Sequence, residues 1–361
     1  MSAHDESRAL HARARAFVDA FERGEAMPEP FDVLARDLAR FQAEHVAGYG
    51  RLLRARGVDP KSIERASDAP AVPTDAFRLA RVSAFAESET PVVFRTSGTT
   101  IGERGGHFFR DVTTYDAAAR AFGRRGLLGD FPRDEPIAVL VVGPPPSEAP
   151  DSSLTHMSAI FVEAFGVPAT LDETYFVRDG VLDLAALDER VARLMMTDVK
   201  ALVLGTAFAC VHLLDAVGDA GFRLPDGSRV MQTGGFKGKT REIPAEVLRR
   251  DLARAFAIPE AAIVGEYGMT ELSSQFYEAT GVYREPPWAR VVPVDPESLT
   301  PVPDGAIGIA RICDLMNVDS AFAVLANDRV RRVPGGFELL GRAAGAPPRG
   351  CSIAIDELLG G

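Results

Sequence analysis

Cysteine is scarce in this sequence, and histidine does not occur at the spacings that bind metal ions. The 361 residues include 3 cysteines and 6 histidines. Three scattered cysteines are too few for a disulfide framework or a zinc knuckle. The histidines form neither an H-x-x-x-H nor an H-E-x-x-H pattern, so we expect no metal site built by the protein alone.

Long apolar runs are also missing. No run approaches the roughly 20 residues of a membrane-spanning helix, and residues 1–15 are polar and charged. The net charge is −11, from 40 basic and 51 acidic residues that are interspersed along the chain. Such a surface repels nucleic acid and anionic membranes. We therefore expect a cytoplasmic protein that binds no nucleic acid and has no membrane span.

The N-terminal part of the chain is predicted to be helical. Residues 5–23 and 31–56 carry apolar side chains at helical spacing, and the sequence M-P-E-P at 27–30 separates these two predicted helices. We interpret residues 1–90 as a helical layer that packs against a central sheet, and not as a separate domain.

The middle of the chain alternates between apolar runs and amphipathic stretches. Buried strands are predicted at 137–142, 201–204, 229–232 and 262–264. Helices are predicted at 114–126, 152–165, 184–196, 208–221 and 244–256. This alternation predicts an α/β fold with a layered, mostly parallel sheet, in which ligands bind beyond the carboxyl ends of the strands. The unusual loops all follow predicted strands, and we expect them to converge on one cleft: 95–107, 143–151, 205–207, 233–240 and 265–275.

The last 60 residues change character, because short antiparallel strands are predicted there around turns. These strands are predicted at 305–312, 321–325, 329–333 and 336–340. The patterns together indicate a single domain over residues 1–361. Its predicted parts are a helical layer (1–90), an α/β core (91–300), a small antiparallel β region (301–345) and a cysteine-bearing tail (346–361).

The most distinctive stretch is rich in glycine and hydroxyl side chains. Residues 94–107 are F-R-T-S-G-T-T-I-G-E-R-G-G-H. Glycine permits positive φ, which turns backbone N–H groups inward into an anion-binding nest, and Ser and Thr add donors. Apolar runs lie on both sides, so we predict strand–loop–strand, unlike the kinase-type phosphate loop that opens a helix. The alternative interpretation is an exposed hydrophilic hairpin.

Four stretches resemble motifs of the adenylate-forming (acyl-CoA synthetase-like) superfamily, and they occur in the same order. Residues 96–100 resemble its phosphate loop, and residues 267–271 (Y-G-M-T-E) resemble its aromatic-Gly-x-Thr-Glu motif. Residues 327–328 are similar to its ribose-binding aspartate, and residues 340–342 to its Leu-Gly-Arg hinge.

Within that superfamily the chain resembles the acyl-protein synthetase (LuxE) family over most of residues 70–352. The similarity is carried by 72–77, 151–157, 233–237, 266–275 and the cysteine-bearing 349–352. It implies the fold of the large N-terminal domain of adenylate-forming enzymes, with no separate lid domain. The implied activity is ATP-dependent activation of a fatty acid as acyl-AMP, followed by transfer to a protein cysteine as a thioester. In bacterial luminescence the implied partner is an acyl reductase; an acyl-donor partner and a homo-oligomer are left open.

The chemistry of acid activation agrees with these residues. A carboxylate is ionised at pH 7, so its attack on the α-phosphate needs charge neutralisation and alignment and no general base. We expect Glu271 to bind Mg²⁺, which needs only one or two carboxylates besides phosphate oxygens, and Thr270 to hold the α-phosphate. The alternative for Glu271 is a charge that stabilises a helix N-terminus.

The remaining candidates are expected to bind the nucleotide. Tyr267 is expected to stack on adenine or to pack in the core, Asp328 to accept both ribose hydroxyls, and Arg342 to pair with ribose or phosphate. The candidate cofactor-binding residues are Thr96, Ser97, Gly98, Thr99, Thr100, Arg104, Gly234, Gly235, Tyr267, Gly268, Asp328 and Arg342.

The chain departs from the superfamily pattern at two lysines. The superfamily loop usually continues Thr-Gly-x-Pro-Lys, whereas residues 100–104 are T-I-G-E-R, so Arg104 is the candidate substitute. The further C-terminal domain, which carries a lysine for the adenylation step, is expected to be absent. Lys237, with Lys239, is then the candidate catalytic cation; the alternative is a pair of solvated lysines.

Cys351 is the candidate acyl acceptor. The preceding A-P-P-R-G at 346–350 is too rich in proline and glycine for a helix, so we predict a mobile arm. Arg349 is expected to favour the thiolate. The alternative is an ordinary cysteine in a short strand at 351–355. Cys210 and Cys313 are predicted to be buried and inert.

Other functions remain open from the sequence. An acid–CoA ligase, or a ligase that loads a carrier protein, would leave Cys351 dispensable. A nucleotide-binding partner subunit without turnover is a third possibility. Apolar residues at helical spacing are candidates for an acyl tunnel or for plain core: Met157, Ile160, Phe161, Phe208 and Phe276.

Overall fold

The computed structural model describes residues 2–96, 104–218, 220–234, 243–278, 280–343 and 349–360. The chain divides into two compact units. The first unit contains Met1–Ala121, Thr270–Gln275 and Val282–Gly361, and the second contains Phe122–Met269 and Phe276–Gly281. No helix in the described part of the chain is long and apolar enough to cross a membrane.

Helices and strands are numbered in chain order. The helices are α1 (Ala3–Arg23), α2 (Phe31–His45), α3 (Ala47–Ala55), α4 (Ala76–Leu79), α5 (Thr113–Leu128), α6 (Ser153–Phe165), α7 (Leu171–Thr174), α8 (Leu184–Thr197), α9 (Ala207–Val217), α10 (Ala245–Ala255) and α11 (Arg349–Leu359). The strands are β1 (Val72–Pro73), β2 (Val92–Arg95), β3 (Gly106–Phe109), β4 (Ile137–Val142), β5 (Val177–Arg178), β6 (Val181–Leu182), β7 (Lys200–Thr206), β8 (Arg229–Thr233), β9 (Ile263–Tyr267), β10 (Phe276–Glu278), β11 (Ala289–Val294), β12 (Ile307–Asp314), β13 (Ala323–Val333) and β14 (Gly336–Arg342).

The second unit is built on a mostly parallel sheet. Its strand order is β10–β9–β8–β7–β4, and only β10 runs antiparallel to its neighbour. Every residue of β4 is buried, as its continuous apolar sequence predicts for a strand covered on both faces. One face carries a core formed with α8, α9 and α10, to which Leu140, Val203, Leu213 and Leu252 contribute. The predicted α/β class and the predicted strands of this region are confirmed.

The first unit is built on a mostly antiparallel sheet. Its strand order is β1–β13–β12–β11, and β14 also pairs with β13. The short β1 joins it as the parallel neighbour of β13, with Val72 opposite Val324. A separate two-stranded ribbon, β2 with β3, is antiparallel and encloses the glycine-rich stretch. This ribbon confirms the strands predicted on both sides of the glycine-rich stretch. The antiparallel pairing of β11 with β12, β12 with β13 and β13 with β14 confirms the antiparallel character of the C-terminal region.

Two sequence predictions are wrong in detail. The helix predicted over 31–56 is interrupted at Val46, whose backbone is extended, with φ −97° and ψ 97°. The segment considered as a strand at 351–355 is helical and belongs to α11. The reason lies in the spacing of its buried residues, Cys351, Ala354, Ile355 and Leu358, which follow i, i+3, i+4 and i+7 and so share one helical face.

Candidate active site

An apolar cavity lies at the carboxyl ends of β4 and β7 in the second unit. Its volume is about 930 Å³, which is within the roughly 300–1,000 Å³ typical of small-molecule sites. Gly143 and Pro144 line it after β4, and Gly205 and Thr206 line it after β7. Thus, two of the loops predicted to converge line one cavity, as expected at the carboxyl edge of a parallel sheet.

Helices α6 and α9 and the β5–β6 ribbon complete the cavity. The hydroxyl of Ser152 caps α6 by accepting from the backbone N–H of Thr155, and the Thr206 hydroxyl caps α9 in the same way. The helix starts are therefore fixed at the cavity mouth. The other lining side chains include Leu154, Thr155, Ser158, Val177, Leu182, Phe208 and His212.

The residues predicted for an acyl tunnel divide into three groups, of which Ile160, partly exposed and not among the residues that line the cavity, forms one. Phe208 lines the cavity. Met157, Phe161 and Phe276 are instead buried in the core, with at most 2% of their surface exposed. Helical spacing alone did not distinguish these groups, because a core face and a cavity face have the same period.

The neighbouring strands β8 and β9 end in two of the predicted motifs. Gly234 follows β8 with φ +74°, a left-handed conformation that favours glycine. Tyr267, the last residue of β9, is buried, and its ring centroid lies 5.9 Å from that of Phe276. Gly235 and Lys237, together with Lys239, lie outside the described residues.

Glu266 is a buried acid that the sequence analysis assigned no role. It lies opposite Thr233 in the β8–β9 ladder, and its carboxyl group accepts a hydrogen bond from the Thr233 hydroxyl. Burial raises the pKa of Glu266 to about 7. The signal that could have found it was an acidic residue inside an otherwise apolar strand.

In the first unit, the ends of the glycine-rich stretch are held together by hydrogen bonds. The Thr96 N–H donates to the Gly105 carbonyl at 2.9 Å, and the Gly105 N–H donates to the Thr96 hydroxyl at 2.9 Å. The Arg104 guanidinium donates to the Thr96 carbonyl at 2.7 Å. Arg104 therefore lies at the base of the loop, and its substitution for the loop lysine stays a prediction. Residues Ser97, Gly98, Thr99 and Thr100 lie outside the described residues.

The segment Thr270–Gln275 is held by buried side chains of the same unit. His107 Nδ1 lies 2.8 Å from the carbonyl oxygen of Thr270. Asn317 Nδ2 donates to the carbonyl of Glu271 at 2.9 Å. Burial lowers the pKa of His107 to about 4. Glu271, the predicted magnesium ligand, is itself only 8% exposed.

A buried carboxylate holds the next residues of this segment. Asp314 accepts the backbone N–H of Ser273 at 2.9 Å and the hydroxyl of Ser274 at 2.7 Å. The Ser274 hydroxyl also accepts from the indole N–H of Trp288 at 3.1 Å. Burial raises the pKa of Asp314 to about 6. His107, Asp314 and Asn317 are therefore further candidate residues that the sequence analysis missed.

The two predicted ribose residues are neighbours. Asp328 and Arg342 lie opposite each other where β13 pairs with β14, and Arg342 Nε lies 3.4 Å from Asp328 Oδ1. The Arg342 side chain is 71% exposed, whereas that of Asp328 is 15% exposed. The pair thus presents a half-buried acid beside a solvent-exposed cation.

Cys351 contacts Asn327, the residue that precedes Asp328 in β13, although not as a mobile arm. Its Sγ is 3.5 Å from Asn327 Oδ1, the residue before Asp328. The thiol is only 2% exposed because α11 packs it inward. Burial, together with the negative charge of Asp75, raises the pKa of Cys351 to about 11. The prediction of a mobile arm with a favoured thiolate is therefore wrong for residues 349–360.

The other two cysteines are buried, as predicted. Cys210 and Cys313 are each 3% exposed, and burial raises the pKa of both thiols. Within the described residues, no group of three or more His, Cys, Asp or Glu side chains is arranged to hold a metal ion.

A model of the family described as acyl-protein synthetase, LuxE, matches residues 31–360. Comparison with curated proteins gave no match. Among solved structures, 2-hydroxyisobutyryl-CoA ligase in the postadenylation state with 2-HIB-AMP is similar with a TM-score of 0.60 and 14% identity, over 86% of this chain and 67% of that one.

The same ligase with 2-HIB-AMP and CoA in the thioesterification state gives a TM-score of 0.61 and 15% identity, over 95% of this chain and 69% of that one. ATP-bound MatB from Rhodopseudomonas palustris gives a TM-score of 0.48 and 18% identity, over 72% of this chain and 49% of that one. The chain thus has the fold of the hydroxyisobutyryl-CoA ligase.

Proposed function

Because the chain belongs to the LuxE acyl-protein synthetase family, we propose that it activates a fatty acid with ATP and loads the acyl group onto its own Cys351. The observation that carries the proposal is the position of this thiol. Its Sγ lies 3.5 Å from Oδ1 of Asn327, which directly precedes Asp328 in β13, and we assign the ribose to Asp328 and Arg342. A cysteine placed there is within the same unit as Thr270, Glu271, Asp328 and Arg342, four of the residues to which we assign the nucleotide and the metal.

The proposed reaction has two displacement steps. A carboxylate oxygen of the acid attacks the α-phosphorus of ATP, and pyrophosphate leaves. The Cys351 sulfur, after giving its proton to solvent, then attacks the acyl carbonyl; the C–S bond forms as the bond to AMP breaks. Because the thiol is tethered to the same chain, its effective concentration at the acyl-adenylate is about millimolar when the chain can span the distance between the two.

Glu271 fits the proposed magnesium site. Mg²⁺ is usually held by one or two carboxylates together with substrate phosphates, so a single buried carboxylate beside a hydroxyl residue, Thr270, matches the donors expected. The metal would supply neutralisation of the phosphate charge. The chain's own contribution is to hold the backbone at Glu271, through the hydrogen bonds that the carbonyls of Thr270 and Glu271 accept.

The cavity of the second unit supports an acid with a hydrocarbon chain. Most of the side chains that line it are apolar or small, including Leu154, Val177, Leu182 and Phe208. Burying each CH₂ group of an acyl chain contributes about 0.8 kcal/mol, so a cavity of about 930 Å³ favours longer acids over short ones.

A second candidate function is acid activation with an external thiol, either coenzyme A or a carrier protein. The observation that favours it is the burial of Cys351, whose pKa is raised to about 11 in the docked helix. In this case Cys351 would be a packing residue of α11. A nucleotide-binding partner subunit without turnover is the third candidate.

One set of assays separates the three functions. The parental protein is given ATP, Mg²⁺, coenzyme A and a panel of labelled fatty acids; pyrophosphate exchange, labelling of coenzyme A and hydroxylamine-sensitive protein labelling are measured. We expect exchange to persist in Cys351→Ala while labelling disappears, and the matched Cys313→Ala variant to keep both. Labelling that survives in Cys351→Ala would exclude self-acylation there; exchange with labelling of coenzyme A alone would favour the external thiol. No exchange with any acid would favour the partner subunit.

A further inference from the structure

We propose that His107 and Asn317 are positioning residues that set the direction of the Glu271 side chain by holding the two peptide groups on either side of it. The inference rests on the proposed function, because the direction of Glu271 matters to catalysis only if this carboxylate meets the metal and phosphate.

His107 holds the peptide group that precedes Glu271. The carbonyl of Thr270 belongs to the 270–271 peptide, and a carbonyl oxygen only accepts, so His107 Nδ1 carries the proton of this 2.8 Å hydrogen bond. The imidazole is 1% exposed and packs 4.2 Å from the ring of Phe109, centroid to centroid. Because burial disfavours the charged ring, His107 stays neutral and its single donor is committed to Thr270.

Asn317 holds the peptide group that follows Glu271. Its Nδ2 donates to the Glu271 carbonyl and to the Ala321 carbonyl, both at 2.9 Å, and its Oδ1 accepts the Ser273 hydroxyl at 2.7 Å. The side chain is 1% exposed. Both of its N–H donors are therefore used, and the amide cannot rotate without leaving buried groups unpaired.

Together, these two hydrogen bonds set the direction in which the Glu271 side chain leaves the backbone. Fixing the planes of the 270–271 and 271–272 peptides fixes φ and ψ of Glu271, and with them the Cα–Cβ bond from which the carboxylate extends. The two supports come from distant parts of the chain: His107 is 163 residues from Thr270, and Asn317 is 46 residues from Glu271.

His107 also links Glu271 to the glycine-rich stretch. It belongs to β3, which is the strand that leaves this stretch, and Phe94 in β2 is its register partner. A hydrocarbon side chain would fill the same space without the cost of burying an imidazole. Packing alone therefore does not require the Nδ1–H donor of His107. The experiment removes this donor and keeps the volume of the side chain.

The test compares two replacements of His107. His107→Asn keeps an N–H on the atom that corresponds to Nδ1, whereas His107→Leu keeps similar volume without a donor. We expect kcat for pyrophosphate exchange to fall about 10- to 100-fold in His107→Leu, since a displacement of about 1 Å in a catalytic group costs that much. The KM for the fatty acid should change little, and His107→Asn should recover most of the loss.

Controls separate positioning from general damage. His11→Leu removes a partly buried histidine that contacts Thr114 and Asp319 in place of the carbonyls of Thr270 and Glu271, so it should keep the parental kcat. Asn317→Leu should reproduce the kcat loss of His107→Leu. The inference is overturned if His107→Leu, folded as judged by its thermal unfolding, keeps the parental kcat, or if His107→Asn loses as much as His107→Leu.

A binding measurement keeps this test independent of turnover. Calorimetry gives the affinity for ATP with and without Mg²⁺, and the gain on adding Mg²⁺ should shrink in His107→Leu and return in His107→Asn. If the parental protein shows no exchange with any acid, the proposed function fails; an unaltered Mg²⁺ gain in His107→Leu overturns the positioning role instead.

Discussion

Leu358→Ala should expose the Cys351 thiol without unfolding the rest of the protein. Leu358 is 1% exposed and anchors α11 against α3; a Cβ placed on Gly48 would stand 2.9 Å from Leu358 Cδ2. Two polar contacts assist it: Arg51 Nε donates to the Leu358 carbonyl at 2.7 Å, and Arg56 pairs with Glu357 at 2.8 Å. Helix α11 must leave this surface before the thiol can meet a reagent.

The magnitude follows from the burial of Leu358. Removing a buried leucine side chain costs roughly 2–5 kcal/mol, and the lower end applies where the site can relax, as at the last turn of a helix. At 1.4 kcal/mol for each factor of ten, a loss of about 2 kcal/mol raises the released population about 30-fold. The docked thiol, with a pKa of about 11, is roughly one part in a thousand thiolate at pH 8, whereas an ordinary thiol with pKa ~8.5 is about one quarter thiolate. Alkylation should therefore proceed through the released helix.

The assay is the rate of alkylation of Cys351 at pH 8, followed by mass spectrometry of its peptide. We expect Leu358→Ala to react about 30-fold faster than the parental protein. Leu359→Ala is the matched control, because Leu359 is 43% exposed on the same helix and should leave the rate unchanged. Equal rates in the parental protein and Leu358→Ala would refute release of α11 as the route. Parallel acceleration at Cys210 and Cys313 would indicate global unfolding instead.

Three further predictions concern the acid, the metal and the nucleotide. Glu266 has a pKa of about 7 in the folded protein, against an ordinary value of 4.5. Between these pH values the folded state keeps the proton that the unfolded state loses. The free energy of unfolding should therefore fall as the pH rises from about 4.5 to 7, by up to about 3 kcal/mol. In Glu266→Gln, urea unfolding at pH 5 and pH 8 should show this pH dependence removed; a slope equal to the parental one contradicts the assignment. Glu271→Gln should keep the fold and lower pyrophosphate exchange by orders of magnitude, and exchange at the parental rate would exclude its metal role. Asp328→Ala should weaken ATP binding by a few kcal/mol at most, and unchanged affinity in calorimetry would count against the ribose assignment.

The spacing of apolar residues in the sequence was sufficient to predict those strands and helices whose burial is set locally. Residues 137–142 form β4 as predicted, because a run of six apolar residues can be satisfied only by cover on both faces. The interruption at Val46 could not be predicted in the same way. Apolar spacing continues through it, and neither glycine nor proline stands at the break.

The candidate site was predictable where a motif lies in one stretch of chain and not where it depends on distant partners. Asp328 and Arg342 were named from short motifs, and the β13–β14 pairing brings them together. The roles of His107, Asp314 and Asn317 arise only when the fold brings them to residues 270–274. The burial of Cys351 was missed because the proline-rich residues before it suggested an arm, whereas helical spacing begins at the cysteine itself.

The two sheets differ in when they can be completed as the chain is synthesised. In the second unit, β4, β7, β8 and β9 are neighbours in the sheet in the order in which they leave the ribosome, so each strand can add to a finished edge. In the first unit, β1 can pair with β13 only after Val324, the partner of Val72, has been synthesised. Helix α11 follows later still and closes on α3, which was made some 300 residues earlier, as its Arg56–Glu357 contact records. Burial of the Cys351 thiol thus requires a contact between segments of the chain that are synthesised some 300 residues apart.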